Sequence, residues 1–236
     1  MTAPGIFGTL SAHFRSARDI RLRALIMAER KRVSGRFKIL DVGGRADYWH
    51  RVGMDFLESQ DADVLIVNHE ARELAGTADS RGRLRAEVGD ARGLAYADHS
   101  FDLVHSNSVI EHVGSFADKC AFASEVRRLA PAYYVQTPYY WFPIDPHWPK
   151  MPLFHWMPLS WRWRLLCRFK LGFAGPHREV GHAMADLEAT VLLDWAQMRS
   201  LFPDARLRPE RLFGLPKSII AERTSSRALD REEGAL

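Results

Sequence analysis

Two short stretches carry residue types that can do chemistry together. ILDVGG, residues 39–44, ends a branched apolar run on Asp41 and then sets Gly43 and Gly44 side by side. An acid closing a strand, followed by glycines, suits a ligand that carries an ammonium group and no phosphate. VGGRAD completes neither the G-x-G-x-x-G pattern of a dinucleotide site nor a P-loop. The second stretch is FPIDPH, residues 142–147, where Asp145 stands two residues before His147 and is placed to orient its imidazole as a general base.

The elements that must position these residues are legible in the pattern. FKILDV (37–42), DVLIVN (63–68), LRAEV (84–88), FDLVHS (101–106) and YYVQT (133–137) read as strands, apolar enough to be covered on both faces. Phe116, Cys120, Ala123, Val126 and Ala130 repeat at helical spacing, with Cys120 on the packing face, and Pro131 ends that helix. Leu192–Phe202 is a further helix, and ARLRPERLFG and KSIIAER add two late strands. Strands alternating with helices predict an α/β fold with a doubly wound, mostly parallel sheet, since parallel neighbours need crossover connections. In such sheets ligands bind beyond the carboxyl ends of the strands, which is where ILDVGG falls.

Size and composition narrow the classes. A chain of 236 residues can bury a single sizeable core, and its 47% apolar and 26% charged fractions are those of a soluble protein, without an apolar run near the ~20 residues that cross a bilayer. Two distant cysteines and no secretory leader pattern point to the cytoplasm. The net charge of +4 is small, but basic residues cluster twice. Seven lie between Arg15 and Arg32 on an amphipathic helical pattern, and Met151–Arg178 contains no acidic residue. The expected organisation is a basic N-terminal helix over 1–35, a catalytic domain over 36–223, and a polar, unpacked tail over 224–236.

AEVGDARGLAYADHSFDLVHSNSVIEHV, residues 86–113, resembles the class I S-adenosylmethionine (SAM)-dependent methyltransferases, where a Gly-Asp pair follows the third strand and a pattern like LPFPDNSFDLVFSNSVIEHV runs through the fourth. The resemblance covers about residues 36–142, with a weaker match near the end, and implies a Rossmann-like sheet of seven strands with an antiparallel last hairpin. It also implies SAM as cofactor. Asp41, Gly43 and Gly44 fall at its methionine end, and Asn68 where the family usually has an acid for the ribose hydroxyls, with Glu70 as a substitute. Asp90 and Ala91 fall at the adenine, and Asn107 and Ser108 on the methyl-transfer side. Arg45 stands where a third glycine is usual. His112 falls near the transferred methyl, which makes His112 and His147 the candidate bases.

VQTPYYWFPIDPH resembles a VQTPNRWFPIEPH segment in a subset of these enzymes, which places Thr137, Tyr139, Asp145 and His147 at the mouth of the site. With Trp141 and His155 they form the candidate acceptor-binding set. The segment opens an insertion over 138–188 holding five of the seven tryptophans, too aromatic to be disordered and suited to a lid over an acceptor pocket. A small polar, sugar-like acceptor methylated on oxygen fits best. The alternatives are a lipid or isoprenoid head group at a membrane surface, since LSWRWRLLCRFK resembles an interfacial anchor, and a non-catalytic cofactor-binding fold. Nucleic acid is not expected: TPYY resembles the D/N-P-P-Y/F motif of amino-group nucleic-acid methyltransferases, but that motif follows the fourth strand and TPYY follows the fifth. No metal is expected either, since His147, His155, His177 and His182 lack ligand spacing. Oligomeric state is not encoded legibly.

Overall fold

The computed structural model describes residues 6–77, 81–149, 151–172 and 174–226, with side chains from residue 16 onward. Seven strands form one sheet: β1 (Phe37–Val42), β2 (Ala62–Asn68), β3 (Leu84–Val88), β4 (Leu103–Asn107), β5 (Ala132–Pro138), β6 (Arg206–Leu212) and β7 (Leu215–Arg223), in the order β3-β2-β1-β4-β5-β7-β6. The β1–β2, β1–β4 and β2–β3 pairs are parallel and the β6–β7 hairpin is antiparallel. This is the doubly wound sheet that the strand–helix alternation predicts, with the seven strands and antiparallel hairpin of the Rossmann-like methyltransferase fold that the resemblance implies.

The chain divides into two compact units. The first comprises residues through His105, Arg127–Tyr134 and the residues from Thr224. Its helix α1 (Ile6–Arg30) buries Leu22, Leu25 and Ile26, the second and third lying three and four residues after the first, in the register of one helix face. Asp19 on α1 pairs with Arg51 of α2 (Ala46–Val52) at 2.9 Å, so part of the basic N-terminal helix is anchored by its acid. α3 (Met54–Ser59) follows immediately, after Gly53 at φ +112°. β1 and β2 are buried almost throughout, as parallel strands flanked on both faces must be. Of the expected unpacked tail, Ser225 donates to Glu29 through its amide and hydroxyl, while 227–236 lie outside the described residues.

The second unit comprises Ser106–Val126 and Val135–Arg223. Helix α4 (Phe116–Leu129) starts on a reciprocal cap, with the Ser115 amide donating to Asp118 and the Asp118 amide to the Ser115 hydroxyl. Its buried face differs from the expected one. Lys119, Phe122, Ala123, Val126 and Leu129 are buried, while Phe116 and Cys120 are exposed. Lys119 takes the place Cys120 was expected to fill, because its ammonium reaches the Gly114 carbonyl at 2.6 Å and its stem packs with the apolar residues.

Within residues 138–188, α5 (Leu159–Arg168) and α6 (Val180–Glu188) close a small core of Trp148, Phe154, Leu166, Ala183 and Leu187. The aromatic segment is therefore folded around its own apolar centre. α7 (Trp195–Leu201) opens on Asp194 and Gln197, which satisfy each other's backbone amides in a capping box.

Candidate functional site

In the first unit the loops after β1, β2 and β3 converge through the parallel register. Gly43 N donates to Val67 O at 2.7 Å and Gly89 N to Asn68 O at 3.1 Å, so the backbone turns out of three adjacent strands in step. Gly43 adopts φ +74°, a left-handed conformation that glycine enters at no steric cost. Gly44 is needed for a different reason: a Cβ there would lie 1.7 Å from Asp41 Oδ2 and 2.2 Å from its Cγ. That side of the turn is already filled by the Asp41 carboxylate and leaves no room for a side chain.

Asp41 itself is wholly buried. Its Oδ2 accepts from Trp49 Nε1 at 2.6 Å, and Oδ1 lies 2.7 Å from His105 Nδ1. Asp41 and His105 are register partners on parallel strands, and so the contact is built into the β1–β4 pairing. Tyr48 tilts over the His105 ring at 4.7 Å, Tyr134 stacks at 5.9 Å, and burial pushes the Tyr48 hydroxyl pKa well upward. Asp41 thus fills the space beneath Gly44 and is gripped there at both oxygens. Trp49 and His105, which sequence reading passed over, make that grip. They were findable only as the residue one helix onset after the turn and the residue opposite Asp41 in register.

Asn68 is likewise engaged by the loop: its Nδ2 donates to Gly44 O at 3.3 Å and its Oδ1 accepts from Glu70 N at 3.2 Å. Glu70 is occupied by Arg72 and His69. Arg45 has extended backbone, φ −142°, so no glycine is required there, and it pairs with Glu73 at 3.0 Å. Asp90 is exposed, and its carboxylate receives Arg92 Nε at 2.9 Å, Nη2 at 2.6 Å and the Arg92 amide at 2.9 Å. Those hydrogen bonds hold its pKa down to about 2. Ala91 beside it is half-buried.

In the second unit, Asn107 closes β4 and Ser108 turns at φ +57°, held by Gln136: Ser108 N donates to Gln136 O at 2.9 Å and its hydroxyl to Oε1 at 3.0 Å. A left-handed serine is strained, and these two bonds fix it. The short 3-10 turn Ile110–His112 follows. His112 Nδ1 lies 2.9 Å from the Ala189 carbonyl and 3.2 Å from Thr190 Oγ1. His147 Nδ1 lies 2.7 Å from Asp145 Oδ1, and Asp145 is buried. The two imidazoles meet edge to face with their Nε2 atoms 3.1 Å apart. The two candidate bases, 35 residues apart in sequence, are therefore one constellation, and Asp145 orients His147 as its spacing predicts.

Thr137 is buried and donates to Glu111 Oε2 at 2.9 Å. Glu111 was not among the expected site residues. It is 1% exposed, its Oε1 has no hydrogen-bond partner, and burial pushes its pKa up to about 7. The signal for it was adjacency to His112, masked by its place in an otherwise apolar VIEHV run. Burial lowers the pKa of His112. For His147 burial acts downward too, but the hydrogen bond and charge of Asp145, with the charge of Glu111, carry the net shift upward.

The remaining acceptor candidates spread along the insertion. Tyr139 meets Trp195 edge-on at 6.1 Å. His155 is buried with Nε2 2.8 Å from the Tyr140 carbonyl, which Trp156 Nε1 also reaches at 2.9 Å. Trp141 is 58% exposed, against Tyr140 and Trp156.

Residues 48–131 match the family model of the methyltransferase domain. No curated protein matches the sequence. Among solved structures, the chain is similar to magnesium protoporphyrin IX methyltransferase from Synechocystis PCC 6803 with bound SAH: 12% identity, 95% of this chain and 90% of that one covered, TM-score 0.56. It is also similar to the CurJ carbon methyltransferase, with 13% identity, 88% and 54% coverage and a TM-score of 0.55. A third is the PH0226 protein of Pyrococcus horikoshii OT3, with 18% identity, 86% and 89% coverage and a TM-score of 0.51. At these identities the likeness establishes a common fold.

Proposed function

We propose that this protein is an SAM-dependent methyltransferase acting on a hydroxyl of a small polar, sugar-like acceptor. The methyltransferase-domain match supports the reaction class, and solved relatives of this fold hold SAH or SAM. The residues fit that cofactor: Gly43 and Gly44 turn the chain at the end of β1 without side chains, Asn68 braces that turn through Gly44 O, and Asp90, paired with Arg92, stays exposed just past β3. When bound, SAM supplies an electrophilic methyl group on a sulfonium. The protein's own tasks are to align the acceptor and remove its proton.

The observation that carries the reading to oxygen is the Asp145–His147–His112 chain. Asp145 fixes the ring of His147 and stabilises its cation, so a proton taken from a hydroxyl is held at the paired Nε2 atoms. The carbon–sulfur bond breaks as the oxygen–carbon bond forms, leaving a neutral thioether. Aromatic and polar groups of the insertion (Tyr139, Trp141, His155) are assigned to the acceptor, whose rings they suit as walls. The test uses titration calorimetry with SAM and SAH, then transfer of a labelled methyl group to a panel of sugars and polyols. Binding of both cofactors, with turnover lost in His147→Ala and cofactor affinity kept, is expected. Absence of SAM binding refutes the assignment.

A second reading, a lipid head group as acceptor, is favoured by one observation. Trp156, Leu159, Trp161 and Phe169 are exposed on the insertion together with Arg164, Arg168 and Lys170, the residue mixture of an interfacial surface. Among the described residues no helix is long and apolar enough to cross a membrane.

A further inference from the structure

We propose that Glu111, His112 and His147 hold a divalent transition-metal cation through which the acceptor hydroxyl is bound and ionised. The second half of this statement rests on the methyltransferase reading; the first stands by itself. Ligand atoms of the three residues all lie within 4.8 Å of one another.

The tautomers carry the case. A carbonyl oxygen only accepts, so His112 Nδ1, which faces Ala189 O, bears the hydrogen. The carboxylate of Asp145 likewise requires a hydrogen on His147 Nδ1. Each neutral ring therefore presents a lone pair at Nε2, and these atoms face each other at 3.1 Å. Two opposed lone pairs at that distance need a positive centre, a proton or a metal ion, between them. Glu111 asks for the same thing from the same place: it is 1% exposed and Thr137 serves Oε2 only, leaving Oε1 without a partner. A buried carboxylate without a counter-charge is costly. One divalent ion satisfies all three donors at once.

The donor set agrees with the ion. Two imidazoles and a carboxylate suit zinc, cobalt, iron or manganese, and three protein ligands leave positions open for a water or an acceptor oxygen. A metal–nitrogen bond of about 2.0–2.1 Å places two tetrahedral nitrogens ~3.3 Å apart, near the separation found, and the Glu111 oxygen has to close by at most about 1.5 Å. The supporting contacts are those of ligating histidines, with the distal N–H donated to a carboxylate on one ring and a backbone carbonyl on the other. Lys119 also feels the charge of Glu111, with its ammonium directed to Gly114 O at 2.6 Å.

With the ion in place the imidazoles serve as ligands instead of as the base. The acceptor hydroxyl, bound to the cation, gives its proton to bulk water. The resulting alkoxide attacks the methyl carbon as the carbon–sulfur bond breaks.

The test is made on the full chain after chelation, with no SAM present. Cobalt(II) is titrated while its visible d–d absorption is followed, and zinc is titrated by calorimetry. One ion per chain is expected, with affinity at least about 100-fold weaker in Glu111→Gln and His147→Gln and unchanged in His182→Gln. Circular dichroism confirms that the variants fold. Equal cobalt affinity in wild type and both ligand variants, or no d–d band in the wild type, overturns the site. SAM binding is measured separately, so a chain that binds cobalt but not SAM fails the methyltransferase reading and keeps the metal, and the converse fails the metal alone.

Discussion

Replacing Gly44 by alanine gives the most direct test of how the glycine turn is built. The added Cβ would lie 1.7 Å from Asp41 Oδ2, 2.2 Å from Cγ and 2.7 Å from Oδ1, all far inside van der Waals contact. Such a clash is cheap when the obstructing side chain can swing away, but this carboxylate is wholly buried and held at both oxygens by Trp49 and His105. Moving it by more than ~1 Å gives up both bonds, each worth roughly 1.5–3 kcal/mol when the acceptor is charged. Allowing for partial relaxation, the expected loss is about 2–4 kcal/mol. Urea unfolding, followed by Trp fluorescence and circular dichroism, measures it. The decisive form is a double-mutant cycle with Asp41→Ala: once the carboxylate is gone the methyl has room, so most of the Gly44→Ala penalty should vanish. A Gly44→Ala cost below about 0.5 kcal/mol, or one that simply adds to that of Asp41→Ala, would falsify the account of the turn.

Two more outcomes follow from other parts of the molecule. Asp90 has a folded pKa of about 2, below the ~3.9 of an unfolded aspartate, so the Arg92 pair contributes fully above about pH 4 and its contribution disappears as pH falls through 2. Carboxyl-carbon NMR should place the midpoint near 2 and move it upward in Arg92→Gln; an unmoved midpoint means that Arg92 is not the cause. For the insertion surface, each of Arg164, Arg168 and Lys170 is worth about 1 kcal/mol at an anionic bilayer, so sedimentation with phosphatidylserine vesicles should exceed that with neutral ones by roughly 100-fold and fall on replacing the three by glutamine. Equal binding to both vesicle types removes the membrane reading.

The α/β order of this chain was already written in local pattern. Branched apolar runs delimit β1 and β2 to within a residue because a strand buried on both faces admits little else, whereas β3, read from LRAEV, is largely exposed; Pro131 and Pro203 lie just past the ends of α4 and α7 because proline cannot continue a helix. The glycine turn and the Asp145–His147 pair were legible for the same reason, each lying within six residues. Tertiary structure decided what those groups touch. Asp41 is tied to His105, 64 residues on, by strand register. Folding brings His112 to His147 across 35 residues and turns Glu111 inward beside them. It also set Lys119 where Cys120 was expected, since the buried face of a helix depends on what lies under it. Spacing along a chain records local geometry, whereas the meeting of two imidazoles and a carboxylate depends on register and burial, which only the packed sheet and its loops supply.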